Sequence, residues 1–173
     1  MKNVFTTKRI CRAGIIAALY VVLTYVCMPF AYGPFQFRPA EALCILPLFF
    51  TESVPALFIG CAISNLTSAY LLYDVVIGSS VTLISALCTF FVGKFFKKDF
   101  TRIFLGGLAP VLLNAIFIPV LIVFLYGDTM GFESTAIAYF CFVGSMLLTQ
   151  SLSIYGIGTP LYYGIKKTVK RNK

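Results

Sequence analysis

Apolar residues run along this chain in long blocks with no polar face between them. A membrane-spanning helix needs about 20 consecutive, mostly apolar residues. Blocks of that kind run from about Ile10 to Phe30, Val54 to Leu72, Val75 to Phe95, Ile103 to Tyr126 and Ala136 to Tyr163. A shorter one, about Pro39 to Phe50, is a steep or partial span, or a helix packed inside the protein. The first block ends in Met28-Pro29-Phe30-Ala31-Tyr32-Gly33-Pro34, whose prolines and glycine favour a structured loop over continued helix. The pattern predicts an all-α membrane protein: a bundle of six transmembrane helices in a single domain spanning residues 1–173. The first block is long enough to span and lacks a small-residue cleavage site, so it reads as a helix and not a removable signal peptide.

Composition agrees. The 173 residues are 60% hydrophobic and 12% charged, against roughly 25% charged in a soluble domain. The net charge of +8 suggests nucleic acid until its position is considered. The basic residues gather in Lys2 to Arg12, Lys94 to Arg102 and Lys166 to Lys173, each at the end of an apolar block. Such clusters mark the cytoplasmic side of membrane proteins. Six passes put all three clusters on one side, with both termini cytoplasmic. The opposite loops hold Asp74, Asp128 and Glu133, and Arg38 as their one basic residue.

Several chemistries lack their usual parts. There is no histidine, hence no Ser-His-Asp triad and none of the commonest metal ligand. No phosphate-binding GxxxxGK[ST] loop is present. The six cysteines form no CxxC pair and lie mostly in apolar blocks, where they read as small buried hydrophobes. No cofactor, metal or catalytic residue is expected. A membrane enzyme acting on lipid or peptide remains a distant alternative, as does an assembly subunit that binds no ligand.

Polar groups inside the blocks are few, and each must find a partner in the membrane. Asn65, Asn114 and Gln150 all fall at mid-depth or in the half opposite the basic clusters. They act either as glue between helices or as the lining of one cavity shared with Asp74 and the first opposite-side loop. In that loop Arg38 and Glu41 lie three residues apart, a spacing that allows them to pair. They are equally suited to a lid in which Gln36, Arg38 or Glu41 binds the polar edge of a planar ligand. Pro110 and Pro119 flank Asn114, and each frees a carbonyl about one turn earlier. Ala13 and Ala17, beside Gly14 and Ala18, form a small-residue stripe, and Ala56, Gly60 and Ser64 form another. Such spacing lets helices approach closely, within the bundle or against another subunit.

Tyr32-Gly-Pro-Phe-Gln-Phe-Arg-Pro-Ala-Glu-Ala-Leu43, Ile45-Leu-Pro47 and Pro55 to Cys61 leading to Asn65, with Asp74 and Gly78-Ser79 beyond, resemble the QueT-type queuosine-precursor transporters. These are substrate-binding S components of energy-coupling factor (ECF) transporters. The sharp motif lies between the first and fourth helices, while size and topology match throughout. The resemblance implies a six-helix membrane protein of the bacterial plasma membrane. It would capture a 7-deazaguanine such as preQ1 or preQ0 outside and associate with a membrane coupling (T) subunit and two cytoplasmic ATPase subunits. An S component for another vitamin-like molecule is the nearest alternative. The family's AxxxA docking pattern on helix one falls on Ala13 and Ala17. The expected substrate-binding set is Tyr32, Gln36, Phe37, Arg38, Glu41, Asn65, Asp74, Asn114 and Gln150. Tyr32, Phe35 or Phe37 would stack on the flat base. Glu41, ahead of Asp74 and Glu133, would accept from its adjacent N–H groups. Asn114 and Gln150 would read its carbonyl and ring nitrogens, and an aminomethyl cation would favour a second carboxylate.

Overall fold

The computed structural model describes residues 6–31, 37–68, 71–129 and 131–171. Among them, six helices build the bundle and no strand occurs. Helix α1 covers Thr7–Val26. It ends where the backbone of Cys27 leaves the helical region, at φ −99° and ψ 18°. The chain turns at Cys27 into one short turn, Met28–Ala31. Helix α2, Pro39–Leu48, is a 3-10 helix, and α3 is Ser53–Asn65. Helices α4 (Asp74–Phe95), α5 (Asp99–Leu125) and α6 (Thr135–Val169) complete the set.

Four of the six, α1, α4, α5 and α6, are long and apolar enough to cross a membrane. The third block therefore falls short of the span expected to Leu72. It stops at Asn65 because a turn follows, in which the Leu66 and Ser68 amides bond back to Ile63 and Asn65 carbonyls and the Thr67 hydroxyl to Ser64. Helix α5 begins earlier than expected, at Asp99, where an acidic residue suits the positive end of the helix dipole.

Helix α2 is the centre of the molecule. Every residue from Ala40 to Leu48 is buried. A 3-10 helix rises about 2.0 Å per residue, so its ten residues reach about 20 Å, well beyond the length of an α-helix of that size. Three residues per turn also bring Arg38, Glu41, Cys44 and Pro47 into one row. Glycines let the neighbours close around it. A Cβ on Gly93 of α4 would meet the Leu48 backbone at 2.9 Å, one on Gly106 of α5 the Leu48 side chain at 3.1 Å, and one on Gly158 of α6 the Ala42 carbonyl at 3.3 Å. Between α1 and α3, Gly60 plays the same part, with its absent Cβ 2.9 Å from Tyr20. The stripe Ala56-Gly60-Ser64 is thus a packing seam.

The proline in mid-α5 behaves as its chemistry requires. Pro110 cannot bond the carbonyl of Gly106, and the Thr89 hydroxyl of α4 donates to that carbonyl at 2.7 Å. The helix continues without a break.

One end of the bundle carries the basic residues, and contacts tie its helices together there. Arg12 pairs with Glu52 at 2.7 Å and lies over the Phe50 ring. Lys166 and Tyr162 both bond Asp99. Arg102 donates to the Leu48 carbonyl and lies over Phe49 and Tyr162. The start of α1 and the end of α6 therefore share this end. Arg102→Leu is expected to lower stability by about 2 kcal/mol, since it strips a buried carbonyl of its donor. A thermal or denaturant midpoint in detergent measures it.

Candidate functional site

Glu41 enters the bundle on the first turn of α2 and is only 2% exposed. A carboxylate in such a place needs hydrogen bonds to offset lost hydration. Three donors supply them. The Tyr20 hydroxyl of α1 donates to Oε1 at 2.6 Å. The Cys44 thiol, one 3-10 turn further along α2, donates to Oε2 at 3.3 Å. Asn114 Nδ2 of α5 also donates to Oε2 at 3.3 Å.

Beside this cluster lies a small cavity of about 10 Å³, room for roughly one water. The start of α2 contributes Arg38 and Glu41 to it, α4 Gly78 and Thr82, α5 Asn114 and Ile118, and α6 Met146 and Gln150. It sits in the half of the bundle away from the basic end. Each long helix beside it carries one π-helical stretch close by: Asp74–Gly78, Leu121–Leu125 and Leu152–Ile157. Such wider turns are frequent at functional sites.

The residues anticipated from sequence fall in different places. Arg38, Glu41, Asn114 and Gln150 come together around the cavity. Asn65 and Asp74 meet each other instead: Asn65 Nδ2 donates to the Asp74 carbonyl at 2.8 Å. The Asp74 carboxylate accepts from Tyr126 at 2.6 Å and from Ser68, a clasp joining the α3–α4 turn to α5. Phe37 is half-buried on the approach to α2 and does not line the cavity. Tyr32 and Gln36, with Phe35, lie outside the described residues. On α1, Ala13 and Ala17 are partly buried against the core, with the Ala17 backbone facing Gly60, while Gly14 and Ala18 point outward.

Tyr20, Cys44 and Thr82 escaped the sequence reading. A signal for Tyr20 existed. It shares a helix face with Ala13 and Ala17, and a buried tyrosine hydroxyl needs a polar partner. Cys44 had none beyond its three-residue spacing from Glu41, and a cysteine in an apolar block reads first as a small buried hydrophobe.

A family model described as "QueT transporter" matches residues 10–167. The chain is 37% identical over 89 residues to the "Queuosine precursor transporter QueT" of Lactococcus lactis subsp. cremoris (strain MG1363). That match covers 50% of this chain and 52% of the relative, so the chain spans about half the length of the curated relative it matches. No solved structure matches.

Proposed function

The chain belongs to the QueT transporter family, a multi-pass protein of the cell membrane, and from that premise we propose that it is the substrate-binding S component of an ECF-type importer. Its ligand is a queuosine precursor, a 7-deazaguanine such as preQ1 or preQ0. One observation carries the reading: a buried carboxylate, Glu41, held by three donors beside a cavity that Arg38, Asn114 and Gln150 also line. An apolar bundle with one cluster of directional polar groups is the usual form of a small-molecule site. The basic end faces the cytoplasm by the positive-inside rule, so the cavity belongs to the outer half and receives ligand from outside. A separate membrane coupling subunit and two cytoplasmic ATPase subunits supply the energy for release inward.

The test is thermal stability of the purified chain in detergent with preQ1, preQ0, guanine and unrelated vitamins. A ligand that binds only the folded state stabilises by about 2.7 kcal/mol at a hundredfold excess over its dissociation constant. A shift with a deazaguanine is expected. A shift with a vitamin alone reassigns the ligand, and folded protein that responds to none refutes the binding role.

The coupling subunit docks on the small-residue face of α1, where Ala13 and Ala17 adjoin the outward Gly14 and Ala18. Ala18→Leu is expected to abolish co-purification with the coupling module and to leave ligand binding within about twofold, since the added bulk meets lipid and not the core. Intact co-purification would remove α1 from the docking surface.

A further inference from the structure

Gln150 carries an acceptor that no group in the described residues uses. The residue is 2% exposed, it lines the cavity, and its Oε1 has no hydrogen-bond partner. A buried acceptor left this way costs free energy until a donor arrives. Glu41 faces the same space. Its carboxylate offers about four lone-pair sites. Tyr20 takes one on Oε1, and Cys44 and Asn114 take those on Oε2. Among the described residues nothing takes the second site on Oε1, which is too few for Glu41 to hold two adjacent N–H groups by itself. Asn114 spends one amide N–H on Glu41 and keeps its second N–H and its carbonyl oxygen on the cavity wall. It is a positioning residue for the carboxylate.

We propose that Gln150 Oε1 and the open site on Glu41 act as a split pair of acceptors selecting a ring N–H flanked by an exocyclic amine, with Gln150 reading the amine. Of the flat nitrogen heterocycles, a 2-amino-4-oxo-pyrimidine edge presents those two donors side by side. An adenine-like edge sets an amine beside an unprotonated ring nitrogen, which would oppose a lone pair to a lone pair. An edge without the 2-amino group leaves Gln150 as it is now. Arg38, on the same cavity, offers only donors and suits the neighbouring ring carbonyl. The inference rests on the 7-deazaguanine reading and adds which residue enforces it.

The experiment compares binding of 7-deazaguanine and 7-deazahypoxanthine, which lacks the 2-amino group, to the purified chain and to Gln150→Met. The wild type is expected to prefer 7-deazaguanine by about 100-fold, the range for leaving one buried group unpaired. In Gln150→Met the preference should fall below about fivefold, mainly through weaker binding of 7-deazaguanine. Affinity for 7-deazahypoxanthine should change far less than affinity for 7-deazaguanine, whereas a folding defect would weaken both alike. The ligand-free variant should melt no lower than the wild type, because it loses an unsatisfied buried group. Equal binding of the two compounds by the wild type overturns the proposal, as does a preference that survives in Gln150→Met. In either case the deazaguanine reading stands. If the folded wild type binds neither of these compounds nor preQ1 or preQ0, that reading fails and the proposal with it.

Discussion

Glu41→Ala is expected to abolish ligand binding, by more than about 1,000-fold, and to lower the stability of the ligand-free protein by about 3 kcal/mol. The stability loss follows from the three donors that converge on the carboxylate. Tyr20 is 1% exposed and Asn114 is 4% exposed, and the roughly one water that the adjoining cavity can hold does not replace a carboxylate that serves them both. A buried polar group left unpaired costs about 1–3 kcal/mol, and two such groups outweigh the relief of removing a desolvated charge. Glu41→Gln separates binding from folding. It keeps the shape and an oxygen for Tyr20, but the amide nitrogen in place of Oε2 sets a donor against Asn114. Stability should fall by only about 1 kcal/mol, while affinity for a 7-deazaguanine falls about tenfold, because the oxygen kept beside Tyr20 becomes a neutral acceptor in place of a charged one. Titration of the two variants, each checked for a cooperative melt, measures both effects. Glu41→Gln binding within about twofold of the wild type, together with Glu41→Ala binding that falls less than about tenfold, would show that the carboxylate serves the fold alone.

The site was partly legible for a simple reason. Few strongly polar residues interrupt the apolar blocks, and in a membrane interior each must have a use. That argument found Arg38, Glu41, Asn114 and Gln150, which the structure gathers. It found Asn65 and Asp74 with equal force, and these form a clasp above the cavity. Polarity alone does not separate the two uses, because the rotation of a helix about its axis is not written in an all-apolar pattern. The long spans were equally plain. Helix α2 was not, since nine of its ten residues are apolar and a single Glu41 sets no periodicity to reveal a 3-10 path. Its central position emerges only from Gly93, Gly106 and Gly158 on three other helices. Each is an ordinary residue in its own block.

Those glycines carry the other large prediction: Gly93→Ala should destabilise the protein by about 3 kcal/mol, the upper end for overpacking a core. Its new Cβ would lie 2.9 Å from the Leu48 Cα and 3.0 Å from the Leu48 carbonyl oxygen. Both are backbone atoms of a buried helix and have no rotamer to escape into. Gly106→Ala places a Cβ 3.1 Å from a Leu48 side-chain methyl, which can turn aside, so it should cost about 1 kcal/mol or less. Gly144→Ala meets nothing within 4 Å and should be neutral or slightly stabilising, as alanine favours helix. The effect of Gly93→Ala should also reach the ligand. Leu48 lies seven residues from Glu41, about 14 Å along a 3-10 helix, and the helix between them is packed on every side. A push at one end has little room to dissipate before it shifts the carboxylate from Tyr20 and Asn114. Ligand affinity in Gly93→Ala is therefore expected to fall at least tenfold, with Gly106→Ala near the wild type. Melting and titration of the three variants decide it. If Gly93→Ala proves as stable as Gly144→Ala, α2 moves freely in its cradle, and the rigid placement of Glu41 cannot be what shapes the site.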